Sequence, residues 1–100
     1  MQELDRTLGT LQALHEFVHE TLCESENLLQ DQFRTQQLPL KSKGRLCGIE
    51  YSLRGPRSIR LAAIWAADQN IVYFYNAAGQ RYLKVKLTHR LDAAELGQVA

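Results

Sequence analysis

Apolar positions in the first third of the chain repeat with the period of a helix. Leu4, Leu8, Leu11, His15, Val18, Leu22, Ser25 and Leu29 follow one another at alternating steps of four and three. Leu14, Phe17 and Leu28 widen that stripe, and Glu16, Glu20, Glu24 and Asp31 fall off it. The spacing predicts a long amphipathic helix over about 4–35 with one buried face. Gly9 weakens a helix interior by about 1 kcal/mol, and Thr10 after it is a natural N-cap, so a start near Thr10 is the alternative. Pro39 sets the far limit, because the residue before a proline is biased toward extended backbone.

After a linker over 38–45, with Pro39, Ser42 and Gly44, the period changes to two. Cys47, Ile49, Tyr51 and Leu53 share one face of a strand over 45–54. Ile59, Leu61, Ala63 and Trp65 do the same over 58–66, and Leu83, Val85 and Leu87 over 80–88. Between them Ile71-Val72-Tyr73-Phe74-Tyr75 is rich in strand formers on both faces and predicts a strand over 70–76. Arg54-Gly55-Pro56-Arg57, Asp68-Gln69-Asn70 and Asn76-Ala77-Ala78-Gly79 read as turns. Connections this short make successive strands antiparallel neighbours. Asp92 is a fair N-cap for a short terminal helix over 92–99. The expected fold is α+β, one domain over 1–100, with the long helix packed on a four-stranded antiparallel meander.

The two layers do not match in size. A helix of thirty residues spans about 45 Å, whereas a four-stranded sheet is roughly 15–25 Å across. Either the helix is shorter, or its overhang at Leu4 and Leu8 packs on a second copy. The sheet raises the same question. With Tyr73 and Tyr75 turned inward, the outer face carries Ala62, Ile64, Val72 and Phe74, an apolar surface that asks for a partner. A homodimer, and beyond it a protein partner, is the expectation.

Composition adds bounds. The chain has 100 residues, 45% of them apolar and 23% charged, ordinary values for a globular domain. Its longest apolar run, Leu61 to Ala67, is too short to span a bilayer, and Met1-Gln2-Glu3-Leu4-Asp5 has no signal-peptide character. The expected setting is the cytoplasm, away from membranes. Cys23 and Cys47 match no metal-knuckle spacing. Residues 1–39 hold two basic residues against seven acids, and residues 40–91 hold ten against two, so an acidic helix precedes a basic sheet.

Two patterns are candidates for chemistry. His15-Glu16-Phe17-Val18-His19 satisfies H-E-x-x-H and in that form resembles the helix of zincin metalloproteases. The resemblance implies two imidazoles on one helical face holding zinc, with Glu16 as general base. It covers five residues. Leu22 and Ser25 stand where the extended motif has Gly and a third His, and a third ligand would have to be Glu24, Glu50 or His89. The reading carried forward packs His15 near the apolar stripe and leaves Glu16 and His19 in solvent, with no metal, no cofactor and no catalysis. The second pattern is basic. Arg60, Lys84 and Lys86, with Tyr82 and Phe74 among them, would share the outer face and, together with Arg81, offer charge and stacking to nucleic acid. The sequence thus predicts a non-enzymatic interaction module, with a nucleic-acid-binding module and a small zinc hydrolase as alternatives.

Overall fold

The computed structural model describes residues 1–91, and the terminal helix expected over 92–99 lies outside them. The order is β1 (Gln2–Arg6), α1 (Leu11–Ser25), a 3-10 turn at Gln30–Gln32, β2 (Thr35–Ser42), β3 (Arg45–Arg54), a second 3-10 turn at Pro56–Ser58, β4 (Arg60–Ala66), β5 (Ile71–Tyr75) and β6 (Arg81–Leu87). The strands form one sheet in the order β1-β6-β5-β4-β3-β2. All neighbours are antiparallel except β1, which lies parallel to β6. Among the described residues the fold is α+β, with one helix across one face of a six-stranded mixed sheet. No helix among the described residues is long and apolar enough to cross a membrane.

The stretch expected as one helix over 4–35 is broken at both ends. Thr10 is the N-cap, extended at φ −141° and ψ 164°, and its hydroxyl accepts from the Ala13 amide at 3.0 Å. Upstream of it Gln2 to Arg6 are drawn into the sheet as β1, where they pair with Leu83 to Leu87. At the other end Asn27 takes left-handed geometry at φ 55°. The Leu28 amide then donates to the Cys23 carbonyl at 2.8 Å and the Asn27 amide to that of Glu24, a Schellman stop that releases the chain. Fifteen residues of helix span about 22 Å, which fits a molecule whose longest extent is 36 Å. There is no overhang. Leu4 and Leu8, expected at a dimer contact, are half-buried against the molecule's own core.

The expected linker over 38–45 is likewise mostly strand. Leu38 to Ser42 belong to β2, and Lys43-Gly44, both at positive φ, make the tight turn into β3. Pro39 is tolerated because β2 is an edge strand, where no second neighbour needs its missing N–H.

The core lies between α1 and one sheet face. Leu11, Leu14, Val18 and Leu22 of the helix meet Ile49, Tyr51, Leu53, Leu61, Ala63, Trp65, Val85 and their neighbours. Val72 and Phe74 are part of it, both 0% exposed, and this corrects their expected place on the outer face. The register gives the reason. Val72 lies opposite Trp65 and Val85, and Phe74 opposite Ala63 and Leu83. Directly opposed residues share a face, so Tyr73 and Tyr75 point outward. A bulge between Phe74 and Tyr75 also sets Arg81 opposite Tyr75 and skips Tyr82. Tyr82 therefore turns to the helix side, its ring 6.4 Å from that of Phe74. Cys47, expected inward, is exposed.

Asn70 ties the β4–β5 turn to the end of β6. It is buried in left-handed geometry at φ 56°. Its Oδ1 accepts from the Trp65 indole at 3.0 Å, and its Nδ2 donates to the carbonyls of Leu87 and His89 at 3.2 and 2.9 Å.

Candidate functional site

The two histidines of His15-Glu16-Phe17-Val18-His19 project from α1 toward edge strand β2. His15 Nδ1 is 3.0 Å from Gln37 Oε1, and its ring stands edge-on to Tyr51 at 5.6 Å. His19 uses both ring nitrogens: Nδ1 lies 2.8 Å from the Thr35 hydroxyl and Nε2 lies 2.9 Å from the Gln30 carbonyl. His19 was expected in solvent, but it fastens the helix to β2 and to the turn before it. Glu16 remains exposed, accepting from Gln12 Nε2 at 3.3 Å.

For a zinc site the arrangement lacks a third ligand among the described residues. Glu50 lies opposite Leu38 and Ile64 on the far face of the sheet from the helix. Among the described residues no group of three or more His, Cys, Asp or Glu side chains is placed to hold a metal ion. Cys23, with Sγ 3.7 Å from His19 Nε2, is fully buried, and that burial pushes its thiol pKa up and holds the proton on it.

Beneath His15 the Tyr51 hydroxyl is buried without a hydrogen-bond partner. Desolvation pushes its pKa well above the ordinary 10.0. A buried, unmatched hydroxyl lowers stability, so Tyr51→Phe should stabilise the fold by up to about 1 kcal/mol, read by urea denaturation. Because folding raises this pKa, the neutral phenol contributes its stability below pH 10 and loses it as pH rises further. The wild-type chain should therefore weaken above about pH 10, and the variant should weaken less steeply.

The opposite face of the sheet is the larger feature. Cross-strand register puts Leu38, Glu50, Ile64, Tyr73, Lys84 and Glu3 in one row across all six strands. On one side of it runs a row of Leu40, Gly48, Ala66, Ile71, Lys86 and Asp5. On the other runs Gln36, Ser52, Ala62, Tyr75 and Arg81. β4 and β5 are thus apolar and aromatic on this face, β3 presents Gly48, Glu50 and Ser52, and charges of both signs stand toward the β1 edge. Leu38 is 59% exposed, among the most exposed large apolar side chains of the described residues. No described helix lies over these rows. The one helix packs on the other side.

The chain matches no family model, no curated protein and no solved structure. Its geometry carries the functional argument.

The four basic residues singled out from the sequence do not form one track. Lys84 sits 3.9 Å from Glu3. The Arg81 guanidinium lies 4.0 Å over the Tyr73 ring and donates to the Tyr75 hydroxyl at 2.7 Å. Lys86 shares a shallow hollow with Glu3, Asp5 and Ile71. Arg60 stands apart at the far end of β4, directly opposite Arg54. Carboxylates interleave with the lysines, and Arg81 covers the tyrosine ring on which a base would stack. Of the residues proposed for an apolar interface, Ala62 and Ile64 lie on the outer face, half-exposed. Sequence reasoning missed Leu38, Leu40, Ile71, Tyr73 and Tyr75 there. The first two were assigned to a linker, and the other three follow from the parity of the β4–β5 turn.

Proposed function

We propose that this chain is a non-enzymatic interaction module that self-associates by stacking the open face of its sheet on the same face of a second copy. The observation that carries the reading is the apolar surface of Ala62, Ile64, Ala66, Ile71, Tyr73 and Tyr75 on β4 and β5, with Leu38 and Leu40 across β3, over which no described helix or strand lies. An exposed band of this extent marks a contact surface. Six strands about 4.8 Å apart and five residues at about 3.3 Å make a face of roughly 25 by 17 Å. Two such faces bury of the order of 1,000 Å², the low end of what a specific interface needs. The association is therefore reversible and concentration-dependent. The β1 edge supports a like partner, since it offers acids (Glu3, Asp5) and bases (Lys84, Lys86) to the other copy. His15, His19 and Cys23 of the helix are engaged in packing and hydrogen bonds, which supports a role without catalysis.

Ile64→Lys tests this. Ile64 faces Glu50 across the β3–β4 pair, so the new ammonium gains a neighbour of opposite sign in the monomer and the fold tolerates it. In a stacked dimer the same charge is desolvated at the centre. The variant should melt like the wild type and dimerise about tenfold or more weakly, a loss of at least 1.4 kcal/mol, by sedimentation equilibrium. An unchanged dimerisation constant in a folded variant would remove the open face from the interface.

A further inference from the structure

At one end of the open face three arginines stand in a row across three strands. Arg54 and Arg60 are direct cross-strand partners in the β3–β4 pair. Arg34 precedes Thr35, which pairs with Leu53, so it continues the β2–β3 register to the position beside Arg54. No ion pair or side-chain hydrogen bond engages any of the three guanidinium groups, and among the described residues the one salt bridge is between Lys84 and Glu3 at the other edge. Like charges directly opposed on neighbouring strands destabilise a sheet. Nothing among the described residues offsets that cost here.

Two hollows open onto this row. One, of about 300 Å³, is lined by Arg34, Gln36, Ser52 and Arg54. The other, of about 220 Å³, is lined by Arg54, Ser58 and Arg60. They share Arg54. Each is therefore lined by two arginines and a serine, Arg54 being common to both, and guanidinium and hydroxyl groups are donors that suit a tetrahedral oxyanion. The turn that supplies Ser58 is itself strained. Arg57 and Ser58, neither of them glycine, both hold left-handed geometry at φ 59° and 62°, at a cost of about 1–2 kcal/mol each. Strain of that kind gathers at functional sites, and here it presents Ser58 beside Arg54 and Arg60.

We infer that this row is a binding site for a diphosphate group, one phosphoryl in each hollow and Arg54 between them. The ligand class follows from the chemistry. Three positive charges with no ion-pair partner among the described residues call for a polyanion, and two adjoining hollows that share Arg54 call for two linked oxyanions. The inference does not rest on self-association, because the row lies at the rim of the apolar band and needs no second copy.

The test is a titration of inorganic pyrophosphate into the full chain at low ionic strength, followed by calorimetry and by thermal melting. Saturable binding that raises the melting temperature is expected. Arg54→Gln should weaken it about tenfold or more, as the loss of a charge-assisted hydrogen bond implies. Arg60→Gln should repeat the effect from the neighbouring strand, and Lys86→Gln should leave it unchanged. Without ligand, Arg54→Gln should melt no lower than the wild type, because one like charge is gone. Inorganic phosphate, filling one hollow, should bind more weakly than pyrophosphate. Adenosine diphosphate as a parallel arm separates a diphosphate on a nucleoside from a free one, and saturation by either supports the site. Three results would overturn it. The first is absence of saturable pyrophosphate binding at millimolar concentration, and the second is equal affinity in Arg54→Gln. The third is tight binding of a single-stranded oligonucleotide that is lost in Lys86→Gln and kept in Arg54→Gln.

Discussion

Asn70→Ala is expected to lower the stability of the fold by about 3–4 kcal/mol, a large share of what a domain of this size has. Three costs combine. Alanine in left-handed geometry is strained by about 1 kcal/mol more than asparagine, whose short polar side chain tolerates it. The buried Trp65 indole N–H loses its acceptor, and an unsatisfied buried donor costs about 1–3 kcal/mol. The carbonyls of Leu87 and His89 lose the Nδ2 donor that fastens the end of β6 to the β4–β5 turn. The melting temperature should fall by roughly 15–25 °C. Asn70→Asp keeps Oδ1 for Trp65 and the turn geometry but sets a buried carboxylate oxygen against the carbonyls of Leu87 and His89, so it should be strongly destabilised at neutral pH and recover in part as acid protonates the carboxylate. A fall of only a few degrees in Asn70→Ala would mean that Trp65 is not held by this side chain.

Gly48→Ala should destabilise by roughly 2–3 kcal/mol, although it adds only one methyl group. A Cβ at this position would collide with the Trp65 carbonyl oxygen on β4. That atom is backbone inside a paired ladder, so it cannot swing away as a side-chain end would. Overpacking costs of this kind run at about 1–3 kcal/mol. The damage should be local, since the Ala67 amide bonds the Cys47 carbonyl next door at 3.0 Å. Hydrogen exchange should therefore quicken first at Ala67 and along β4 near Trp65, before the helix. Gly79→Ala is the contrast. Its φ is +79° but a Cβ there meets nothing, so the variant should show only the smaller cost of left-handed backbone.

These two positions also show where the sequence is legible and where it is not. The alternation at Ile49, Tyr51 and Leu53, at Leu61, Ala63 and Trp65, and at Leu83, Val85 and Leu87 was enough to name most of the core face. Period two is a local property of each strand. The face of β5 was not legible, because strand formers occupy both of its sides. Its orientation is fixed only by pairing Val72 with Trp65 and Phe74 with Ala63. β1 was hidden for a different reason. Leu4 and Leu8 fall in step with the helical stripe, yet the free edge of β6 offers residues 2–6 a ladder of hydrogen bonds that a local pattern cannot reveal. Asn27 ended the helix by its backbone geometry while the apolar period ran on through Leu28 and Leu29.

The candidate surface followed the same division. Ala62 and Ile64 could be placed outward from alternation alone, and the apolar excess on that face was visible as a question. Its extent was not. Leu38 and Leu40 join it only because Pro39 sits within an edge strand, and Tyr73 and Tyr75 only through the β5 register. The arginine row was invisible for a further reason. Arg34, Arg54 and Arg60 are separated by twenty and by six residues in the chain, and sheet register alone makes them neighbours. The charge imbalance between the first 39 residues and the next 52 pointed to a basic sheet without saying where the unpaired charge collects.

The stacked open face is the central claim, and light scattering on a concentration series of the purified chain tests it most directly. A mass that rises from 11.4 kDa toward twice that value as the concentration passes through the micromolar range is the predicted result. A mass that stays at the single-chain value at every concentration up to the millimolar range would contradict it.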